Sequence, residues 1–80
     1  PSYSYRNLIG MALLAAENNR LTAAQIHRWV SSTFPCYIRG VGKWEGGIGA
    51  VLSQHKTFIK LPRGPLDDPK QGCYWTFAKD

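Results

Sequence analysis

The sequence predicts an α+β fold in which three helices and a short strand precede a β-hairpin with a long tip. Three observations support this prediction. Apolar residues recur every three to four positions in three separate segments, as in helices with one buried face. Helix-capping residues precede the first two of these segments. Two short segments rich in aromatic and β-branched residues then flank a stretch of prolines and glycines, which is the pattern of a hairpin.

The whole chain, residues 1–80, is predicted to form one domain. Its length suits a single small core, and 44% of its residues are apolar. No low-complexity tract or internal repeat divides the sequence. We therefore expect every predicted element to pack against the same core.

The first helix is predicted over residues 5–17. The Ser4 hydroxyl can accept a hydrogen bond from a backbone amide that the first helical turn leaves unpaired. Asn18 and Asn19 are expected to end the helix. The predicted buried face consists of Leu8, Ile9, Ala12, Leu13 and Ala16.

A short strand at residues 20–21 is followed by the start of the second helix. Thr22 and Gln25 have the spacing of a capping box, in which each side chain satisfies a free amide of the other residue. His27 is expected to face solvent, because no carboxylate or second histidine lies at helical spacing from it. The helix is expected to stop at Phe34, since Pro35 disfavours helical geometry in the preceding residue. Its predicted core residues are Ile26, Trp29 and Val30.

The third helix is predicted over residues 43–56, and its two faces differ in character. Glycines at positions 46, 47 and 49 together make helix formation less favourable by about 2–3 kcal/mol than alanines would. Packing of the apolar face must therefore stabilise this helix. We expect Gly47 to pack closely on a neighbour and Gly46 and Gly49 to face outward. The apolar face consists of Trp44, Ile48, Val51 and Leu52. The opposite face consists of Gly46, Gly49, Ala50 and Ser53, flanked by Glu45 and Gln54.

The hairpin is predicted from strands at residues 58–61 and 73–77, joined by a loop over residues 62–72 that contains three prolines and two glycines. The complete order of elements is that of a winged helix. This fold is a three-helix bundle with a small antiparallel sheet and a β-hairpin wing beside the third helix.

The charge balance favours an anionic partner. Ten Lys and Arg residues oppose five Asp and Glu residues, so the net charge is +5 and the isoelectric point is near 9.6. Several cations bracket the glycine-rich helix, and Glu45 is the only acid among them. These cations are Arg39, Lys43, Lys56, Lys60 and Arg63.

Several other classes of protein are not expected. The sequence shows no paired carboxylates, no nucleophile with a matched base and no phosphate-cradling loop, so we expect no enzymatic activity, small-molecule substrate or cofactor. Cys36 and Cys73 are too few for a disulfide scaffold and lack the spacing of zinc ligands. No apolar run reaches about 18 residues and no signal peptide precedes Pro1, so we expect no membrane association and a soluble intracellular domain. A start without methionine is typical of an excised fragment.

Beyond this architecture, the residues resemble those of one family. In order and spacing they are similar to the forkhead DNA-binding domain, from about residue 2 to residue 80, with an insertion in the wing tip. The resemblance implies a nuclear transcription-factor module that places helix three in the major groove of double-stranded DNA. It also implies that the wing and the first helix contact phosphates. The matching segments are Ser2-Tyr3-Ser4-Tyr5, Leu21-Thr22 with Ile26 and Trp29, Phe34-Pro35-Cys36-Tyr37, Trp44, Ile48, Leu52-Ser53, Phe58, Leu61-Pro62-Arg63-Gly64-Pro65 and Gly72-Cys73-Tyr74-Trp75.

The third helix departs from the family pattern where the family reads bases. The family normally has Trp, Gln, Asn, Ser, Ile, Arg, His, Ser or Asn, Leu and Ser across residues 44–53. Its base-reading Asn, Arg and His fall on Gly46, Gly49 and Ala50, whose side chains cannot hydrogen-bond a base edge. The AT-rich target usual for the family is therefore not expected. Gln54 or Glu45 is the predicted base reader.

The resemblance also implies contacts with the DNA backbone. It places Tyr5 at a phosphate near the start of helix one, Ser53 near the DNA backbone, and Arg63 at the base of the wing. Lys70 is the substitute for the wing lysine of the family, whose position is occupied by Gln71. Two lysines that flank helix three suit phosphate contact on charge alone. The candidate DNA-binding residues are therefore Tyr5, Lys43, Glu45, Gly46, Gly49, Ala50, Ser53, Gln54, Lys56, Arg63 and Lys70.

Two functions stay open from the sequence. The first is a domain that binds duplex DNA with altered or relaxed specificity. The second is a winged-helix protein-interaction module that has lost sequence-specific DNA binding, with its partner on the small-residue face of helix three. Gly46 and Ala50, like Gly49 and Ser53, lie four positions apart, a spacing that permits close approach of another helix.

Overall fold

The computed structural model describes residues 3–65 and 72–79 of the chain, and it confirms the predicted α+β winged-helix architecture. The predicted wing tip, including Lys70, lies outside the described residues. The elements in chain order are α1 (Tyr5–Ala15), β1 (Arg20–Thr22), α2 (Ala23–Thr33), α3 (Trp44–Gln54), β2 (Phe58–Lys60) and β3 (Tyr74–Phe77).

Helix α1 begins where it was predicted to begin. The Ser4 hydroxyl accepts a hydrogen bond of 3.1 Å from the Asn7 backbone amide, which confirms the cap. The helix ends slightly earlier than predicted, because the backbone of Ala16 is extended. Asn19 then adopts a left-handed φ of 57°, and its side-chain amide donates to the Leu13 carbonyl at 3.0 Å. The same carbonyl also accepts from the Ala16 backbone amide at 3.2 Å, so the two bonds together close the end of the helix.

Helix α2 begins with the predicted capping box. The Gln25 backbone amide donates to the Thr22 hydroxyl at 3.2 Å, and the Thr22 amide donates to the Gln25 side-chain oxygen at 2.9 Å. Thr22 is only 4% exposed, so water does not compete for these bonds. The helix is capped at its other end by Phe34, directly before Pro35, as predicted.

The three strands form one antiparallel sheet in the order β1-β3-β2. In this sheet Leu21 lies opposite Trp75 and Ile59 lies opposite Thr76, so β3 pairs on both sides. Both hairpin strands are slightly shorter than predicted at the end nearest the wing tip. The sheet therefore joins the hairpin to the short strand that precedes α2.

The core lies between the three helices and is closed by β2. Helix α3 contributes three of the residues that were predicted to anchor it, and these residues orient its other side away from the core. Ala16, Trp29 and Val51, also predicted to be buried, are half-buried. The buried apolar residues are Leu8, Ile9, Ala12, Leu13, Ile26, Val30, Trp44, Ile48, Leu52 and Phe58.

Candidate nucleic-acid interface

The outward side of α3 carries very little side-chain volume. Gly46 and Ala50 are exposed, and Gly49 is half-buried. A Cβ atom built on Gly46 or Gly49 would have no heavy atom of a neighbouring group within 4 Å. The prediction that both glycines face outward is therefore confirmed. We call residues 46, 49, 50 and 53 the small-residue face.

Gly47 instead allows α3 to contact α1. A Cβ atom at this position would lie 2.8 Å from both Cδ2 and Cζ of the Tyr5 ring, which is closer than non-bonded carbon atoms approach. Tyr5 is half-buried and packs against the core. The expected packing role of Gly47 is confirmed, because its hydrogen leaves room for the ring. Tyr5, the predicted phosphate contact, is thus placed beside the backbone of α3.

The last turn of α3 presents two exposed polar side chains, Ser53 and Gln54. The Ser53 hydroxyl donates to the Gly49 carbonyl at 3.0 Å, so its lone pairs can still accept a hydrogen bond. The Gln54 side chain offers both a donor and an acceptor. These two residues add hydrogen-bonding capacity to an otherwise smooth helix surface.

The candidate phosphate-binding cations lie at exposed positions along the chain on either side of α3. Lys43 occupies the N-cap position of α3, Lys56 lies between α3 and β2, and Arg63 follows β2 at the base of the wing. Lys60, in β2, is also exposed, and its ammonium lies 5.9 Å from the centroid of the Trp75 ring. Exposed cations at both ends of α3 suit a polyanionic partner.

The carboxylate of Glu45, one of the two predicted base readers, is held by contacts within the protein. One oxygen of its carboxylate accepts a hydrogen bond of 2.8 Å from Nε of Arg39, and the other accepts one of 2.7 Å from the Gly40 backbone amide. These two bonds hold the pKa of Glu45 below its usual range, and the bond from the Gly40 amide has the larger effect. These bonds hold the carboxylate against the loop that precedes α3, and we carry Gln54 forward as the candidate reader.

His27 is not the solvated residue that was expected. Its side chain is only 17% exposed, and Nε2 lies 3.2 Å from the Glu45 backbone carbonyl. Nδ1 lies 3.8 Å from the Glu45 carboxylate, and the ring meets Trp44 edge-on with centroids 5.7 Å apart. Burial lowers the pKa of His27, although the nearby Glu45 charge opposes this shift. We call the group formed by His27, Arg39, Gly40 and Glu45 the Glu45 clasp.

The loop between α2 and α3 is held against α3 at a second point. The Ile38 carbonyl accepts hydrogen bonds from Nε1 of Trp44 at 2.9 Å and from the Val41 amide at 3.1 Å. Gly40 and Gly42 have φ values of 79° and 82°, a left-handed conformation that favours glycine. The loop therefore reverses direction at its glycines while side chains of α3 bind its backbone.

The clasp was not predicted from the sequence. Glu45 lies 6 positions after Arg39 and 18 after His27, and neither is the spacing of three or four residues at which side chains contact each other along one helix. The one available signal was the occurrence of a single acid among the cations around α3. That signal indicates an ion pair without identifying its partner.

The described residues offer neither a metal site nor a membrane span. Among them there is no group of three or more His, Cys, Asp or Glu side chains that could hold a metal ion. Cys36 and Cys73 are free thiols. Over the same ranges, no helix has both the length and the apolar character required to cross a bilayer.

Comparison with known proteins identifies the family. The family model described as the forkhead domain matches residues 1–80. The chain belongs to the forkhead family. A forkhead relative from Danio rerio, forkhead box protein I3-A, is 43% identical over 76 residues, which cover 95% of this chain and 21% of the relative. The chain thus spans about a fifth of the length of that relative. Forkhead domains are non-enzymatic winged-helix modules that bind double-stranded DNA, and the resemblance inferred from the sequence is confirmed.

Proposed function

We propose that this forkhead domain belongs to a nuclear transcription regulator and binds duplex DNA by placing α3 in the major groove, with altered or relaxed sequence specificity. The observation that carries this proposal is the small-residue face, which is exposed to a partner yet offers no side chain that can hydrogen-bond a base at positions 46, 49 and 50. The proposed phosphate contacts are Tyr5, Lys43, Ser53, Lys56, Arg63 and Lys70.

Electrostatics supports binding to the DNA backbone. The net charge of +5 attracts a polyanion at long range, and each phosphate neutralised by a cation releases condensed counterions. Lys43 and Lys56 are exposed at the two ends of α3. Such contacts hold a protein on DNA without selecting a sequence.

Sequence specificity then depends on the polar side chains that remain on α3. The exposed Gln54 side chain can pair with the N6 and N7 edge of adenine, which is the usual partner of a glutamine amide in the major groove. The small side chains of the small-residue face let the helix backbone approach the groove floor closely. Recognition of DNA shape and deformability then contributes the remaining preference.

A salt series tests duplex binding itself. The domain should bind mixed duplexes at low ionic strength, and log affinity should fall with log salt concentration with a slope of about −0.9 for each phosphate contacted. An absence of binding at low salt, or binding without this slope, would refute the proposal. That result would favour the alternative, a protein-interaction module that uses the small-residue face.

Selection from a random duplex pool tests the specificity. A triple variant carrying Gly46→Asn, Gly49→Arg and Ala50→His restores the base-reading residues of the family, and the open space at positions 46 and 49 accommodates their side chains. The triple variant should enrich AT-rich sites that the unaltered domain does not enrich. The matched control is the double variant Gly46→Ala and Gly49→Ala, which adds Cβ atoms without hydrogen-bonding groups. If the unaltered domain and the triple variant enrich the same sites, altered specificity is refuted.

Nuclear localisation is tested separately with the longer protein that contains this domain. Its fusion to a fluorescent protein should accumulate in the nucleus. Exclusion from the nucleus would contradict the proposed nuclear localisation. It would not affect the conclusion from the salt series on DNA binding by the domain.

A further inference from the structure

Glu45 occupies a position where a negative charge is unfavourable for DNA binding. It lies in the first turn of α3, two residues after Lys43, among cations that favour phosphates. An unpaired carboxylate at such a surface would repel the DNA backbone and lower affinity. The contacts of this carboxylate within the protein indicate a structural role.

The Glu45 clasp joins three segments of the chain. The carboxylate of Glu45, on α3, binds Arg39 and the backbone of Gly40 in the loop that follows α2. The backbone carbonyl of Glu45 also contacts the ring of His27, on α2. The side chain of Glu45 is 27% exposed and that of Arg39 is 47% exposed, so the clasp lies at the surface with Glu45 on its inner side.

The loop has a particular need for such an anchor. Its left-handed glycines, Gly40 and Gly42, are the most conformationally free residues in an unfolded or mobile chain, so ordering them carries an entropic cost. Glu45 binds the Gly40 amide directly and holds the neighbouring Arg39 side chain. Lys43 follows this loop at once, so the order of the loop governs where its ammonium is presented.

We propose that Glu45 is a positioning residue of the DNA interface: it fixes the loop between α2 and α3 to the first turn of α3, and so holds Lys43 in the position that meets the duplex. This inference rests on the proposed DNA-binding function. It assigns Glu45 no contact with a base or a phosphate.

The positioning role and a bystander role predict effects of opposite sign. If Glu45 is a surface acid that only repels phosphates, removing its charge raises affinity for every duplex. If it positions the loop, removing its side chain releases the loop and lowers affinity, although the protein becomes more positively charged. The sign of the change therefore distinguishes the two roles.

The experiment compares Glu45→Ala, Glu45→Gln and Glu17→Gln in the 80-residue chain. Glu45→Gln keeps an oxygen that can accept from Gly40 and loses the ion pair with Arg39. Glu17→Gln removes the same charge from an exposed position outside the clasp and serves as the matched control. Two quantities are measured: the hydrogen-exchange rate of the Gly40 amide in the free protein, and the affinity for a labelled mixed duplex at fixed salt. Circular dichroism verifies that each variant is folded.

We expect Glu45→Ala to speed Gly40 exchange by about tenfold or more and to lower duplex affinity roughly three- to tenfold, with smaller changes for Glu45→Gln. Glu17→Gln should leave Gly40 exchange unchanged and raise affinity slightly. An increase in affinity for Glu45→Ala, or unchanged Gly40 exchange, would overturn the inference. If the unaltered chain fails to bind duplex at all, the proposed function fails instead, and the exchange rates alone decide whether Glu45 orders the loop.

Discussion

Replacing Gly47 or Gly49 of α3 by alanine is expected to change the free energy of unfolding in opposite directions. At Gly49 a Cβ atom meets no neighbouring atom, so Gly49→Ala should raise the free energy of unfolding by about 0.5–1 kcal/mol through helix preference alone. At Gly47 the same atom would overlap the Tyr5 ring, and overpacking of this kind costs about 1–3 kcal/mol. Gly47→Ala should therefore be less stable than Gly49→Ala by that overpacking cost.

Urea denaturation and thermal melting measure this difference. In a domain of this size, 1 kcal/mol corresponds to a shift of about 4–8 °C in Tm, so the two variants should lie on opposite sides of the unaltered chain. Replacing Tyr5 by alanine should remove most of the penalty of Gly47→Ala, which a double-mutant cycle would report as coupling between the two positions. Equal stabilisation by Gly47→Ala and Gly49→Ala would refute the assigned contact between α1 and α3.

Further predictions concern binding, capping and pH. Arg63→Ala should weaken all duplexes about equally, whereas Gln54→Ala should change the ranking of duplex sequences in competition binding. Thr22→Ala should lower the free energy of unfolding by about 1 kcal/mol in urea denaturation, because it removes the buried capping box. Acidification should destabilise the fold. The pKa values of His27 and Glu45 are both lowered in the folded protein, so the unfolded chain binds more protons as pH falls below 6.5 for His27 and below 4.5 for Glu45. Urea midpoints measured at decreasing pH should fall, and Glu45→Gln should flatten the more acidic part of the curve.

Each of these predictions has a result that would contradict it. A uniform loss of affinity for Gln54→Ala would show that Gln54 does not read bases. Ser31→Ala, a change at a half-buried α2 hydroxyl that donates to the Arg28 carbonyl of the same helix, is the control for Thr22→Ala, and equal effects would contradict the capping contribution. Urea midpoints that rise on acidification would contradict the directions assigned to the two pKa values.

The sequence predicted best those features that depend on neighbours in the chain. The capping box at Thr22 and Gln25, the Ser4 cap and the apolar face of α3 all follow from short spacings, and the structure confirms each of them. Element ends were less accurate. Helix α1 stops at Ala15, where the next residue is extended and the Asn19 side chain binds the Leu13 carbonyl, a local geometry that helical periodicity does not encode.

The features that were missed involve residues brought together by folding. His27 was expected in solvent because no carboxylate or second histidine lies at helical spacing from it, and the contacts of Glu45 with the loop were not predicted. Packing of α2 against α3 brings the two side chains together, and the intervening loop adds Arg39. The outward orientation of Gly46 and Gly49 was predictable, because the buried stripe of α3 fixes the direction of its opposite side.

The strand order also bears on how the domain is completed during synthesis. Strand β3 is the central strand, yet it is the last of the three to be made, and its partners β1 and β2 do not pair with each other in the folded domain. Pairings between residues as distant as Arg20 and Thr76 are slow to form, since a long stretch of chain must be closed first. The native sheet therefore requires the strand that is synthesised last, since β3 is the partner of both other strands.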